Sequence, residues 1–114
     1  MIRQLTPENS SEIDFVPHAI VRRPASYFAE SLHMRLIHDA DDLDEYEGIL
    51  LVLNNDMPFA LRHYAGHPAD TVTIYLPSEY KNVHQITNIL NRITRELRID
   101  RSDICWQRID SPGL

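Results

Sequence analysis

The segment from Arg62 to His67 holds the residues best suited to bind a small ligand. Its sequence, Arg-His-Tyr-Ala-Gly-His, places a guanidinium, two imidazoles and a phenol close together. An arginine can bind a carboxylate or a phosphate through two parallel hydrogen bonds, and a tyrosine can donate a further one. Pro68 follows directly, which is typical of a turn. Arg62, His63 and His67 are therefore candidate ligand-binding residues, and ordinary surface side chains are the alternative interpretation.

An acidic segment, residues 39–47, is the second candidate. It holds six of the seventeen acidic residues of the chain, and such a density steers cationic partners in a salt-dependent way. The spacing does not match a calcium-binding EF-hand loop, because Asp44 stands where that loop requires Gly. A short helix that ends at Gly48 is an alternative interpretation. The candidate protein-contact residues are Asp39, Asp41, Asp42, Asp44, Glu45 and Glu47.

The histidines and the single cysteine form no recognisable metal-binding or catalytic pattern. There are six histidines but no His-Glu-x-x-His motif, and one cysteine, Cys105, excludes multi-cysteine metal sites. With three glycines, the chain has neither a phosphate-binding glycine loop nor a nucleophile elbow. We therefore predict no catalytic residue, no metal and no cofactor, and a packed Cys105. The alternative metal site would combine His38, Asp39 or Asp41, and His63 or His67.

Composition predicts one domain. The chain has 114 residues, of which 43% are hydrophobic and 25% charged, as in ordinary globular proteins. We predict a flexible lead-in over residues 1–14, a single domain over 15–109 and a tail over 110–114. The chain has no apolar run of membrane-spanning length and no secretory signal, and its cysteine is single, so we predict a cytoplasmic protein without membrane contact.

The charge balance disfavours nucleic acid as a partner. The net charge is −6 at pH 7, and an acidic protein is repelled by phosphate backbones. Near the end of a predicted helix, however, a local basic patch could form from Arg92, Arg95 and Arg98 and contact nucleic acid. The simpler interpretation is that these arginines lie on the solvent-exposed face of the helix.

Hydrophobic periodicity predicts a central sheet. Residues 49–53 are consecutively apolar, which is typical of a strand buried on both faces. Residues 59–64 and 71–76 alternate between apolar and polar side chains, which is typical of strands with one buried face. Turn-forming residues separate the three segments. We therefore predict an antiparallel meander over residues 49–76.

The segments on either side are less uniform. Residues 15–21 predict a strand, and Pro17 places it at a sheet edge because proline cannot donate a ladder hydrogen bond. Residues 26–37 fit a helix capped by Ser26 or a strand from about Leu32, and we favour the strand. Residues 104–109 predict a last strand.

The clearest single element is a helix over residues 79–97, with Ser78 as its predicted N-cap. Its apolar residues recur at spacings of three and four and form one stripe: Val83, Ile86, Leu90, Ile93 and Leu97. The predicted fold class is α+β, with a two-layer, mostly antiparallel sheet of five to six strands and this one long helix packed on it. One long helix cannot cover the whole sheet, so either the N-terminal segment or a second copy of the chain would cover the rest, and a homodimer is a further possibility.

These features favour a non-catalytic binding or regulatory module that acts through protein–protein contacts, with residues 39–47 as the contact surface. An enzymatic role is left open but is not favoured. A small-ligand or enzymatic site at Arg62–His67 is the first alternative. Nucleic-acid contact through Arg92, Arg95 and Arg98 is the second.

Overall fold

The computed structural model describes residues 2–4, 13–40, 45–53 and 57–107. In this part of the chain there are seven strands and two α-helices. The strands are β1 (Ile2–Gln4), β2 (Phe15–Val21), β3 (Ile37–Ala40), β4 (Glu45–Leu53), β5 (Met57–Tyr64), β6 (Val72–Pro77) and β7 (Ile104–Gln107). The helices are α1 (Ala25–Leu32) and α2 (Val83–Glu96).

The strands form one antiparallel sheet in the order β1-β4-β5-β6-β2-β7. Strand β3 also pairs with β4. It lies against residues 45–48, whereas β1 lies against residues 51–53, so the two short strands share one position at the outer edge of β4. The predicted α+β class and the β4-β5-β6 meander are confirmed.

Both helices pack on one face of the sheet, which we call the helix face. The alternation predicted for β5 and β6 is confirmed, because the residues that the pattern assigned to one face all join the core there. Burying this apolar surface is the main force that holds the two layers together. The strand residues of this core include Phe59, Leu61, Val72, Ile74 and Leu76, and the helix residues include Phe28, Ile86, Ile89, Leu90 and Ile93.

Helix α1 corrects the preference for a strand from about Leu32. It begins after Pro24, whose φ of −70° suits a helix start, and buries Phe28 completely in the helix-face core. It ends at His33, which has a positive φ of 55°. Leu32, Met34 and Leu36 are partly buried and each contacts this core. Leu32 is the last residue of α1, and Met34 and Leu36 lie in the irregular segment before β3, so their alternation is not that of a strand.

Helix α2 begins later than predicted. The backbone N–H of Ser78 donates to the carbonyl of Asp14, at 2.7 Å, so Ser78 belongs to the turn that follows β6. The N-cap is Asn82, whose Oδ1 accepts a hydrogen bond from the backbone N–H of Gln85 at 3.1 Å. The predicted apolar stripe is confirmed, because its residues from Ile86 to Leu97 are buried and Val83 is half-buried.

Replacing Asn82 with alanine should therefore lower the free energy of unfolding by about 1 kcal/mol, because Gln85 N–H loses its acceptor. Ser78→Ala is the matched control. It removes the hydroxyl of the residue that the sequence pattern favoured as the cap, and should change stability by less than about 0.5 kcal/mol. Urea denaturation of both variants gives the comparison. A larger loss for Ser78→Ala than for Asn82→Ala would contradict the observed helix start.

Strand β2 has the predicted bounds but does not lie at an edge of the described sheet, since it pairs with both β6 and β7. Two features make Pro17 tolerable in this position. The register with β6 shifts between Pro17 and Ala19, and β7 pairs only with residues 19–21. A proline at such an irregularity is not required to donate a regular ladder hydrogen bond.

Two further expectations for the chain ends need correction. Residues 2–4, assigned to the flexible lead-in, form β1, because three residues are too few to show a hydrophobic period but can still pair with residues 51–53. Cys105, expected to be packed, is exposed, because β7 is the edge strand. Residues 54–56 of the predicted hairpin turn, residues 108–109 of the predicted strand and the predicted tail, 110–114, lie outside the described residues.

Candidate binding site

The two segments singled out by sequence meet in one cleft. It has a volume of about 600 Å³ and lies where β3, β4 and the end of β5 come together. Eight described residues line it, of which three are acidic and two are histidines: Asp39, Glu45, Glu47, His38, His63, Ala40, Tyr46 and Ala65. We call this site the acidic cleft.

Strand register explains why these residues meet. Glu47 pairs with His38 on one side and with His63 on the other. Directly opposite residues of an antiparallel sheet point to the same face, so the three side chains form a row across three strands. The backbone N–H of Ala65 donates to the carbonyl of Glu45 at 3.0 Å, which ties the turn after β5 to the start of β4.

His63 fastens the turn that borders the cleft. Its Nε2 lies 3.2 Å from the carbonyl oxygen of His67 and 3.1 Å from that of Pro68. Carbonyl oxygens only accept, so Nε2 carries the hydrogen. Nδ1 then faces Glu47, at 3.9 Å from Oε1. The His63 ring therefore joins the turn to the acidic row and does not project freely as a ligand-binding group.

The charge of the cleft is predominantly negative. Among the described residues that line it, none is a lysine or an arginine, whereas three are acidic. Of the three, Asp39 accepts a hydrogen bond from its neighbour, the backbone N–H of Ala40, at 2.8 Å. A cation about 4 Å from one carboxylate gains about 1 kcal/mol in bulk water and more where solvent is partly excluded. The chemistry that this arrangement favours is binding of an ammonium or guanidinium group.

The three candidate ligand-binding residues do not form one site. Arg62 and Tyr64 lie on the opposite side of the sheet, which we call the second face, whereas His63 lies on the helix face. The His67 ring stands beside Tyr64, with 5.9 Å between the ring centroids. Strand alternation separates Arg62 from His63, and the turn returns His67 to the side of Tyr64.

Arg62 is held by aromatic rings. Its guanidinium carbon lies 4.7 Å from the ring centroid of Tyr46, 5.1 Å from that of Tyr75 and 5.4 Å from that of Phe15. Cation–π contacts of this kind contribute about 0.5–2 kcal/mol each, depending on desolvation. Sequence reasoning missed the three rings, since they belong to three other strands and no local pattern links them to Arg62.

The rest of the acidic segment departs from the helical interpretation. Residues 45–48 are extended in β4 and pair with β3, so a helix that ends at Gly48 is wrong. Residues 45–48 form a strand rather than a helix because they pair with β3 on one side and with β5 on the other. The contact candidates Asp41, Asp42 and Asp44 lie outside the described residues.

The remaining candidates are placed as follows. Arg92 and Arg95 are exposed on α2, and Arg98 follows the helix with a positive φ of 56°. Arg92 also lines a shallow groove with Met57 and Asn88. Across the described ranges, no three His, Cys, Asp or Glu side chains are grouped closely enough to hold a metal ion.

Comparison with known proteins adds no relative. No protein-family model, no curated protein and no solved structure matches the chain. Within the described part of the chain, neither helix is long and apolar enough to cross a membrane. The functional argument therefore rests on the geometry of the cleft and of the second face.

Proposed function

We propose that the protein is a non-catalytic binding module that recognises a basic segment of a partner protein through the acidic cleft. The observation that supports this most directly is that Asp39, Glu45 and Glu47 line one cleft, and that no lysine or arginine is among the described residues that line it. Lysine and arginine side chains are long enough to place their charged ends in such a cleft while the backbone of the partner stays outside.

The form of the cleft supports a contact role over a solvated loop. The three acidic residues lie on paired strands, and the turn beside them is held by backbone and His63 hydrogen bonds. A backbone held in this way loses little conformational entropy when a partner binds. The net charge of −6 adds a long-range field that would raise the association rate with a cationic partner.

A homodimer, a cytoplasmic location and the absence of an enzymatic activity remain predictions beside this proposal. The second face, which a second copy could cover, already buries Ala60, Tyr64 and Tyr75 among its own side chains. Trp106, which pairs with Ile20 at the edge strand, is 43% exposed and is the most exposed large apolar residue in the described part of the chain.

The test is a titration of a fluorescein-labelled arginine-rich peptide followed by fluorescence anisotropy, with a lysine-rich peptide of equal length beside it. We expect binding at about 20 mM NaCl that weakens strongly at about 200 mM, where charges are screened within about 10 Å. Glu47→Gln and Asp39→Asn should each weaken binding several-fold at low salt, because each removes one negative charge from a residue that lines the cleft and leaves the sheet paired.

Glu79→Gln is the matched control, since Glu79 is exposed and does not line the cleft. It removes the same charge and should change the dissociation constant less than about twofold. Equal losses for Glu47→Gln and Glu79→Gln would show that the peptide responds only to net charge, and the proposal would then be wrong.

A further inference from the structure

Arg62 lies in a slot across the second face. Its partners in register are Gly48 on β4 and Thr73 on β6, both of which are small. A Cβ atom on Gly48 would stand 3.2 Å from Cγ of Arg62, so the missing side chain leaves room for the arginine stem. The stem carries the guanidinium to the rings of Phe15, Tyr46 and Tyr75.

The rings hold the guanidinium in place from several directions. They belong to β2, β4 and β6, so a rotation of the Arg62 side chain away from one ring would disturb its contacts with the others. An arginine restrained in this way has already lost much of its rotamer freedom. Binding a ligand then costs less entropy than it would at a free surface arginine.

The hydrogen-bonding capacity of Arg62 is largely unused by the described residues. Its Nη1 donates to the hydroxyl oxygen of Tyr64 at a long 3.4 Å. Neither the ion pair of Arg23 with Asp103 nor the 3.9 Å approach of His63 Nδ1 to Glu47 Oε1 involves Arg62. Asp39, on the same face as Tyr46, uses Oδ1 to accept from Ala40.

The positive charge of a half-buried guanidinium is not balanced when no carboxylate lies beside it. Partial burial removes water from the cation, and aromatic rings replace hydration only in part. An oxyanion supplies both the opposite charge and acceptors for the parallel N–H donors. The chain has seventeen acidic residues, yet among the described residues none forms an ion pair at this position.

We propose that Arg62 and the surrounding tyrosines form a binding site for an oxyanion, the carboxylate or phosphate group of a small ligand. The guanidinium binds two oxygens of the group, and the aromatic rings hold the guanidinium and shield it from water. The hydroxyl of Tyr64, beside Nη1, is placed to contact the same group. This site differs from the acidic cleft in its charge preference, although Tyr46 belongs to both and Asp39 of the cleft lies on the same face as Tyr46.

The test is an NMR titration of ¹⁵N-labelled protein with sodium phosphate and, separately, with sodium acetate, at an ionic strength kept constant with sodium chloride. The Arg62 Nε–H resonance is the reporter. We expect it to shift in a saturable way with at least one anion and not with chloride alone. A response to phosphate alone identifies a phosphate group as the ligand chemistry, and a response to acetate alone identifies a carboxylate.

Four variants assign the response, which is read from the ring resonances of Tyr46 and Tyr75. Arg62→Met, which keeps an apolar stem, should abolish saturable binding. Arg62→Lys, which keeps the charge without the planar fork, should weaken it by about tenfold. Arg95→Met is the control for an exposed arginine and should leave it unchanged, and so should Glu47→Gln in the acidic cleft.

An Arg62 resonance in the unmodified protein that responds to neither anion would overturn the proposal, whatever the variants do. An equal ring response in Arg62→Met and in the unmodified protein would overturn it as well. Arg62 would then serve only to cover the second face. Because the first of these measurements needs no substitution, a variant that fails to fold does not block the test.

Discussion

Replacing Leu90 with alanine is expected to lower the free energy of unfolding by about 2–5 kcal/mol. Leu90 is 4% exposed and lies on α2 within the helix-face core. The substitution removes apolar surface from the interface between helix and sheet and leaves a cavity that the surrounding strands fill only in part. A loss of this size is a large fraction of the total stability of a typical domain. Urea denaturation followed by circular dichroism measures it.

Asn91→Ala is the control for Leu90→Ala. Asn91 is the next residue of α2 and is exposed, so the change tests the helix without touching the core. It should alter the unfolding free energy by about 0.5 kcal/mol or less. A loss below about 1 kcal/mol for Leu90→Ala would mean that the apolar stripe does not pack on the sheet, and would contradict the two-layer fold.

Gly48→Ala should destabilise the protein by about 1–3 kcal/mol or more, through crowding rather than through a cavity. The added Cβ would stand 2.4 Å from the backbone carbonyl oxygen of Leu61, a distance that requires β4 and β5 to move apart. It would also press on the stem of Arg62. We therefore expect both a lower urea midpoint and changed ring resonances for Tyr46 and Tyr75.

Gly66→Ala separates crowding from the general effect of replacing glycine. Gly66 is exposed in the turn after β5 and does not adopt a positive φ. Alanine there should be neutral or stabilise by about 0.4–1 kcal/mol, because it restricts the unfolded chain. Equal effects of the two substitutions would contradict the close approach of β4 and β5 at Gly48.

The sequence alone was sufficient to predict the central strands and the long helix. The strand alternation in β5 and β6 and the three-and-four spacing in α2 are properties of neighbouring residues. Burial follows directly from them, so Leu61, Ile74 and Leu90 could be assigned to the core before any contact was known. The α+β class follows, because an amphipathic helix after a meander must cover a sheet face.

Local sequence patterns could not decide the secondary structure where the spacing of apolar residues fits both a helix and a strand. Leu32 and Leu36 fit both a helical spacing and, with Met34, a strand alternation, so the choice depended on what the segment packs against. Phe28 decided it, because complete burial of this ring on the sheet stabilises a helix over Ala25–Leu32. The start of α2 at Asn82 was likewise decided by the turn that follows β6.

By itself, the sequence determined which residues carry charge and chemistry, and that Arg62 and Tyr64 share a face while His63 takes the other. Only the tertiary structure decided their neighbours. The pairing of Glu47 with His63 brings the acidic segment to the turn, and β2, β4 and β6 supply the rings around Arg62. The physical reason is that strand order and register depend on the free energy of packing the whole sheet, to which residues distant in sequence contribute as much as neighbours do.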